Sequence, residues 1–402
     1  MPDTTDLFVA YQTDVLFLLI GSNPLPNHVA ARLLAKEQGT VVLLHSKSTT
    51  EVAKRLANRL QAERSNLTFQ YYTVSEADGP AIAVQVENAA RSFERSYPRK
   101  TVGLNYTGGT KPMVAYSHRV LSQMFPGAVF SYLDARTLNM VIDPGGGPVQ
   151  YVPTGRQVQM TLAQIAALHG YEISGPREKP RDAAIATGIA EVHLANGGMD
   201  QWRGWLESWK NDGVKLPDLS RFPALAPAME AFNRACGGSA TESGVAQALG
   251  FERLEQCGKY LIGSWLEDYV LEALGRVNKE LKLDDYGGEL LLSTPRRPDF
   301  DMDVAATIGY QLFAISCRAT DKKGGAKEHL MEIFVRASQL GGDEARFAAV
   351  TFCDDKNVRD LQSEVTEAWD ARGKIKVFGR SHIRDLSAHL LRWFREANQE
   401  ES

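Results

Sequence analysis

The chain has 402 residues, of which 44% are hydrophobic and 23% are charged, and its formal net charge is −4. This length exceeds that of one ordinary domain, so we expect two domains and a connector between them. The composition is typical of a soluble globular protein. The net charge excludes a protein that is basic over its whole surface, although a local basic groove remains compatible with it.

The four cysteines and the apolar content of the N-terminal segments indicate the cellular compartment in which the protein acts. Cys236, Cys257, Cys317 and Cys353 are far apart and form no Cys-x-x-Cys pair, so we expect neither a zinc site nor a disulfide framework. The first twelve residues lack the features of a signal peptide, and the longest apolar run, residues 15–20, is too short to cross a bilayer. We therefore expect a cytoplasmic protein without a membrane span.

Short apolar runs alternate with amphipathic helical patterns over residues 12–145. The runs are typical of buried strands and lie at residues 14–21, 40–46, 67–74, 101–107 and 128–134. The helical patterns between them lie at residues 28–38, 49–63, 81–95 and 113–123. Repeated strand–helix units of this length predict a Rossmann-like α/β domain with a parallel sheet.

The turn cluster Pro-Gly-Gly-Gly-Pro at 144–148 predicts the first boundary, so we assign residues 1–150 to the N-terminal domain. Residues 151–245 have mostly helical patterns and predict a helical connector, with a winged-helix-like unit as one interpretation. Residues 246–402 begin with a strong helical pattern at 263–277. Strand candidates at 288–294, 300–307, 310–319 and 346–352, with a helix at 328–340, predict a C-terminal α/β domain.

The segment Asn105-Tyr-Thr-Gly-Gly-Thr-Lys111 joins a predicted strand to a predicted helix. Adjacent glycines let a ligand approach the backbone, and a helix N-terminus favours negative charge. The carboxyl ends of parallel strands are also where ligands bind in such sheets. We therefore predict an anion site that uses Asn105, Thr107, Gly108, Gly109, Thr110 and Lys111. A tight turn without a ligand is the alternative.

Two familiar nucleotide motifs are absent from the predicted sheet. Counting a Walker A motif from Gly103 places its lysine position on Gly109, and residues 21–26, Gly-Ser-Asn-Pro-Leu-Pro, do not match GxGxxG. These absences argue against a P-loop hydrolase and against a Rossmann oxidoreductase.

Three segments together resemble a known family: Leu-Asn-Tyr-Thr-Gly-Gly-Thr-Lys-Pro-Met at 104–113, Gly-Ser-Asn-Pro-Leu-Pro-Asn at 21–27 and His-Ser-Lys-Ser at 45–48. They are similar to the CARF domain of CRISPR-associated nucleases in type III systems, and most similar to those with a C-terminal PD-(D/E)xK domain. The resemblance implies a homodimer that binds a cyclic oligoadenylate, commonly cyclic tetra-adenylate, across its two-fold axis. It also implies that the ligand is lined by Ser22, Asn23, Pro24, Ser46 and residues 107–111.

In the C-terminal half the resemblance implies a restriction-endonuclease-like fold with acidic ligands for Mn²⁺ or Mg²⁺. Glu267 resembles the acid of the first helix of that family, and Asp303 matches its strand aspartate. Asp301 lies two residues earlier, on the same face of the strand. With Glu332 on the following helix, these three residues form the expected metal site.

Two residues depart from the family pattern. Ser316 stands where the (D/E)xK motif has its acid, and Arg318 stands where it has its lysine. A serine hydroxyl is a weak ligand for a hard cation, and arginine stays protonated and cannot act as a base. Glu328 or Glu332 could complete the metal shell. The replacement cation could come from a basic loop that would also suit a phosphate backbone, at Lys322, Lys323 or Lys327.

The interpretation that follows is a cyclic oligoadenylate-activated nuclease that cleaves single-stranded RNA or DNA, with Glu267, Asp303, Ser316 and Arg318 as catalytic residues. The alternative is a catalytically degenerate sensor that binds nucleic acid or a partner without cleaving. In a second alternative, Arg296 and Arg297 form salt bridges with Asp301 and Asp303, and no metal ion is bound there. We expect His45 and Trp265 to serve packing.

Overall fold

Two β-sheets, one in each half of the chain, organise the protein. The computed structural model describes residues 4–209, 214–294, 297–369 and 371–398. A short 3₁₀ segment at Thr4–Tyr11 precedes the first strand. No helix in these ranges combines the length and the apolar character needed to cross a bilayer. All four cysteines are free thiols.

The N-terminal sheet has seven strands in the order β3-β2-β1-β4-β5-β6-β7, of which the first five are parallel and the last two antiparallel. The strands are β1 (Thr13–Ile20), β2 (Ala35–His45), β3 (Thr68–Thr73), β4 (Val102–Asn105), β5 (Val129–Asp134), β6 (Asn139–Asp143) and β7 (Gln150–Pro153). The helices between the parallel strands are α1 (Leu25–Leu34), α2 (Thr50–Glu63), α3 (Gly79–Glu94) and α4 (Lys111–Met124). The predicted Rossmann-like sheet is confirmed.

Two boundaries in this domain differ from the prediction. The helix predicted over 28–38 ends at Leu34, because Ala35 is extended and already pairs with Thr13 in the sheet. The turn cluster at 144–148 connects the antiparallel strands β6 and β7. It therefore forms a hairpin inside the sheet, which continues to Pro153, past the boundary expected at residue 150.

The segment expected to be a helical connector contains helices and one strand. The elements are α5 (Leu162–Leu168), β8 (Glu172–Ser174), α6 (Ala183–Leu194), α7 (Gly198–Glu207), α8 (Ala226–Ala235), α9 (Glu242–Ala248) and α10 (Leu254–Lys259). Strand β8 pairs with the C-terminal sheet, so this segment is partly built into the second domain. Residues 210–213 lie outside the described residues.

The C-terminal sheet has six strands in the order β13-β12-β11-β10-β9-β8. Its further strands are β9 (Asp285–Thr294), β10 (Arg297–Ile308), β11 (Gln311–Cys317), β12 (Arg346–Val350) and β13 (Ile375–Phe378). Its helices are α11 (Trp265–Leu281), α12 (Lys323–Gly341), α13 (Asp355–Ala368) and α14 (Leu386–Ala397). Strands β11 to β13 are parallel, and β8 to β11 pair in antiparallel fashion. One turn of π-helix, Tyr260–Ser264, leads into α11.

A continuous apolar core joins the two halves. The cluster that fills the space under α1 and α2 extends through α5 to one face of the C-terminal sheet. At the junction, the hydroxyl groups of Thr154 and Tyr310 lie 2.6 Å apart in a buried hydrogen bond. Beside them, a Cβ on Gly309 would lie 1.6 Å from the carbonyl oxygen of Gly155. The two sheets therefore pack as neighbours with little room for a side chain between them.

We predict that Gly309→Ala lowers the free energy of unfolding by about 3 kcal/mol or more, because the methyl group meets backbone atoms and φ is +60°. The matched control is Gly250→Ala, which has φ of +74° and no atom within 4 Å of the new methyl group, so it should lose only about 1 kcal/mol. Urea unfolding measures both. Equal losses in the two variants would contradict the tight junction.

Candidate functional site

The loops that follow β1 and β4 touch each other at the edge of the N-terminal sheet. Strands β2 and β4 flank β1 on opposite sides, so the place where the two loops touch is the point at which the strand order reverses. A Cβ on Gly108 would lie 2.3 Å from the carbonyl oxygen of Leu19, and one on Gly21 would lie 3.2 Å from the amide nitrogen of Gly109. Glycine is therefore required where the two backbones meet.

Helix α4 begins at this meeting point. The Thr110 hydroxyl caps the helix, since it accepts a hydrogen bond from the Met113 amide at 3.3 Å and donates one to the Glu76 carbonyl at 2.6 Å. Lys111 is exposed in the first helical turn. The helix dipole and a lysine at one spot favour the binding of an anion.

A third loop adds hydroxyl groups to the same edge of the sheet. Ser46 lies at the end of β2, and its hydroxyl is 2.8 Å from that of Ser48. Ser48 donates to the carboxylate of Glu76 at 2.5 Å. Hydrogen bonds from Ser46 and Ser48 hold the pKa of Glu76 below its ordinary value, so this carboxylate is charged at neutral pH. The sequence reasoning missed Glu76, although it follows a predicted parallel strand.

The predicted pocket residues fall into two groups. Ser22 is exposed beside the meeting point, and the side-chain oxygen of Asn23, just before α1, accepts a hydrogen bond from the Leu25 amide at 3.0 Å. Pro24 and Ser46 are buried at the base. Asn105, by contrast, is fully buried, and its amide donates to Ser131 at 3.0 Å. The structure therefore places Asn105 under the loop as a support and not at its surface.

Two further side chains support the loop from below. The Thr107 hydroxyl accepts a hydrogen bond from the Leu133 amide at 2.7 Å, which ties the loop to β5. Asn27 is buried and donates to the Leu19 carbonyl at 3.0 Å, while its own side-chain oxygen has no partner among the described residues. Asn27 was not predicted, because its role depends on how α1 packs under Gly108.

In the C-terminal domain, Glu267 of α11 and Asp303 of β10 lie close enough to repel each other. Burial, and then the charge of Asp303, raise the pKa of Glu267 to about 8. Burial also raises the pKa of Asp303, although Asp303 accepts hydrogen bonds from the Cys317 amide at 2.7 Å and from the Ser316 hydroxyl at 3.2 Å. Two like charges that are both partly buried are destabilising unless a proton or a cation compensates them. Carboxylate oxygens fit a hard divalent cation.

A cavity of about 120 Å³ opens beside Asp303. Its polar lining consists of Asp301, Asp303, Ser316, Arg318, His329, Glu332 and Arg336. Ser316 thus serves as a hydrogen-bond donor to Asp303, and Arg318 is exposed at the rim, where its guanidinium could bind a phosphate. His329 and Arg336 were not predicted, although both lie on the face of α12 that also carries Glu332.

Two of the four predicted metal ligands are engaged elsewhere. Arg336 donates to the carboxylate of Asp301 at 3.0 Å and forms a second ion pair with Glu332. Within the described ranges, no group of three or more His, Cys, Asp or Glu side chains has the arrangement of a metal site. The structure therefore brings Glu267 and Asp303 together and holds Asp301 and Glu332 on Arg336.

The predicted substitutes for the missing lysine do not reach the cavity. Lys323 and Lys327 both pair with Glu364 of α13. Lys322 and Glu328 are exposed and do not line the cavity. The carboxylate of Glu364 therefore reduces the basic character expected of the loop. Of the predicted salt-bridge partners, Arg296 and the side chain of Arg297 lie outside the described residues.

A buried ionic network fixes the start of α11. Arg177 binds Asp268 at 2.7 Å and Glu289 at 2.8 Å, and Arg181 binds Glu289 at 3.0 Å. Tyr260 of the π-helical turn donates to Asp268 at 3.0 Å. Glu289 adopts φ of +54°, which is uncommon for a residue with a side chain and often marks a functional region. The network joins α11 to β9, the neighbour of β10, and so sets the position of Glu267 relative to Asp303.

We predict that wild-type protein loses stability relative to Glu267→Gln as pH rises from about 5 to about 8. The ordinary pKa of 4.5 applies to the unfolded chain and about 8 to the folded one, so the unfolded state ionises first and is favoured across this window. Melting temperatures measured at several pH values without divalent metal test this. Glu280→Gln, at an exposed site of α11, is the control and should show no such divergence. Parallel curves for wild type and Glu267→Gln would refute it.

Comparison with known proteins identifies relatives of the fold. No protein-family model and no curated protein matches the chain. Among solved structures, protein VC1899 from Vibrio cholerae aligns with a TM-score of 0.68 at 15% identity, over 95% of this chain and 98% of that one. Can2 from Sulfobacillus thermosulfidooxidans, in complex with cyclic tetra-adenylate, aligns with a TM-score of 0.67 at 14% identity, over 97% and 99%. The chain therefore shares its two-domain fold with VC1899 and Can2.

Proposed function

We propose that the protein is a cyclic oligoadenylate-activated, metal-dependent nuclease that cleaves single-stranded RNA or DNA in type III CRISPR defence. One observation carries this proposal: a single chain joins a glycine loop and helix N-terminus at a topological switch point to a partly buried pair of carboxylates, Glu267 and Asp303. The first feature suits a polyphosphate ligand, and the second suits a divalent cation. Each alone is compatible with many functions, but their combination in this fold supports a regulated nuclease.

The messenger that best fits the N-terminal loops is cyclic tetra-adenylate, the ligand of the structurally similar Can2. Its phosphates would meet the amide groups of residues 108–110 and the ammonium group of Lys111. Because a cyclic oligonucleotide is symmetric, one pocket would be half of a site completed by the second copy of a homodimer. A protein activated in this way would act in the cytoplasm.

The C-terminal site supports hydrolysis of a phosphodiester. Glu267 and Asp303 would hold Mn²⁺ or Mg²⁺, which activates water and stabilises charge on a phosphate when bound. Ser316 keeps Asp303 oriented through the hydrogen bond of 3.2 Å. Arg318 would hold the scissile phosphate at the rim as a fixed positive charge.

A second candidate function is a sensor that binds nucleic acid or a partner without cleaving it. The observations in its favour are the serine and arginine at the (D/E)xK positions and the engagement of Asp301 and Glu332 by Arg336. Cleavage of fluorescent single-stranded RNA and DNA, with Mn²⁺ and with or without cyclic tetra-adenylate, separates the two functions.

We predict that Lys111→Ala weakens the binding of cyclic tetra-adenylate about tenfold, because a charge-assisted contact to phosphate is lost. Isothermal titration calorimetry measures the affinity. Lys100→Ala is the matched control, since Lys100 is equally exposed but precedes β4 at the opposite edge of the sheet. A Lys111→Ala affinity equal to that of wild type would argue against the proposed pocket.

We predict that Asp303→Asn reduces messenger-stimulated cleavage about 100-fold or more, since changes even to groups around metal ligands lower activity 10- to 100-fold. Binding of cyclic tetra-adenylate should stay at the wild-type level, because Asp303 lies in the other domain. Glu364→Gln removes an exposed carboxylate that pairs with Lys323 and should retain activity. Full activity of Asp303→Asn would rule out the assignment of this residue.

A further inference from the structure

Helix α12 contacts both candidate sites of the chain. His329, Glu332 and Arg336 on this helix line the cavity beside Asp303. The helix ends at Gly341. The next residue, Gly342, contacts Asn23 in the loop that follows β1 in the N-terminal domain. At the helical rise of about 1.5 Å per residue, Arg336 lies roughly 9 Å along the axis from Gly342. One rigid element therefore spans the distance between the two sites.

The contact at the C-terminal end of α12 leaves no free space. A Cβ on Gly342 would lie 1.7 Å from the side-chain nitrogen of Asn23, and φ at Gly342 is +59°. Asn23 is itself held at the start of α1, where its side-chain oxygen accepts a hydrogen bond from the Leu25 amide at 3.0 Å. Any displacement of the loop at residues 22–24 must therefore move either Asn23 or the end of α12.

The junction also contains an unsatisfied buried group. Glu344 is 1% exposed, and its Oε2 atom has no hydrogen-bond partner among the described residues. The same atom lies 3.1 Å from the Cβ position of Gly342, next to Asn23. The Nη1 atom of Arg346 donates to the main-chain carbonyls of residues 343–345 and makes no hydrogen bond to this carboxylate, although its charge partly offsets the rise that burial causes in the pKa of Glu344. A buried polar atom without a partner is destabilising, so this packing is open to rearrangement.

At the other contact, Arg336 holds the acidic side chains of the nuclease cavity. Its Nη1 atom donates to both the carboxylate and the main-chain oxygen of Asp301, and its Nη2 atom pairs with Glu332. The guanidinium also lies over the ring of Phe300, with its carbon 5.2 Å from the ring centre. These contacts keep two solvent-exposed carboxylates bound to one cation at the mouth of the cavity.

We propose that Arg336 is a positioning residue that restrains the acidic side chains of the nuclease cavity, and that the Asn23–Gly342 contact makes this restraint respond to the messenger. The inference rests on the proposed function and names the regulation of its site. Binding at residues 22–24 displaces Asn23, α12 shifts as a unit, and the contacts of Arg336 with Asp301 and Glu332 change. A messenger can drive this shift only as far as it binds the shifted state more tightly.

Linkage gives the proposal two separate readouts. If Arg336 stabilises the resting arrangement, removing it favours the shifted arrangement even without messenger. The messenger affinity must then increase by the same factor as the population of the shifted arrangement, because coupling between two sites is reciprocal. Affinity for the messenger therefore reports on Arg336 even though Arg336 lies in the other domain.

The test uses Arg336→Met, which keeps an apolar stem over Phe300 and removes the hydrogen bonds. We expect cleavage without messenger to rise at least about tenfold above wild type, and the affinity for cyclic tetra-adenylate, measured by calorimetry, to increase. The control is Arg276→Met, which breaks an exposed ion pair with Glu272 and should leave both quantities unchanged. Unchanged messenger affinity in Arg336→Met overturns the proposal, as does basal cleavage that stays at the wild-type level while wild type responds to messenger.

Gly342→Ala tests the other contact, since its methyl group would collide with Asn23. Because the collision displaces Asn23 and α12 from their resting contact, we expect basal cleavage to rise above wild type and the ratio of messenger-stimulated to basal cleavage to fall by at least about tenfold. Gly250→Ala controls for the positive φ, and a melting curve controls for folding. Full stimulation in Gly342→Ala overturns the coupling. If wild type cleaves nothing under any condition, the proposed nuclease function fails, and the change in messenger affinity of Arg336→Met still decides whether the two sites are coupled.

Discussion

The mutual repulsion of two partly buried carboxylates, Glu267 and Asp303, is the constraint on which the C-terminal site depends. The pair can exist in the folded protein only because other interactions fix the elements that carry it. Arg177 and Tyr260 hold α11 through Asp268, and Arg177 also binds Glu289 on the strand beside Asp303. Such an arrangement is unfavourable without a compensating charge, and it becomes favourable once a cation or a proton lies between the carboxylates.

Packing between the two domains connects the N-terminal loops to this site. The core under α1 and α2 continues into the C-terminal sheet, so the two domains are packed against each other. The loops that follow β1 and β4 have no room for a side chain at Gly21 and Gly108, because their backbones meet there. The end of α12 has no room for one at Gly342, because Asn23 fills the space. Tight packing of this kind transmits a displacement, since packed interfaces change between discrete arrangements rather than deform continuously.

The sequence predicted the N-terminal sheet well, because strands buried on both faces are continuous apolar runs. It indicated the loop that follows β4 as well, because a pair of adjacent glycines has few uses other than such a loop. It also identified Glu267 and Asp303, from the resemblance to a family. It did not predict that Asn105 supports the loop from below, since a buried asparagine and a ligand-binding one look alike in a sequence. Nor could it pair Arg336 with Asp301, because these residues are 35 positions apart and meet only through the packing of α12 on β10.

The central claim is that Glu267 and Asp303 form a site for a divalent cation. Calorimetric titration of Mn²⁺ at pH 7, repeated in buffers with different heats of ionisation, measures the number of protons released on binding. Because the pKa of Glu267 is raised to about 8, its carboxyl is mostly protonated at that pH and must lose its proton to hold a metal ion. We predict the release of close to one proton in wild type and a much smaller release in Glu267→Gln. Binding of Mn²⁺ without proton release, or no binding at all, would contradict the account.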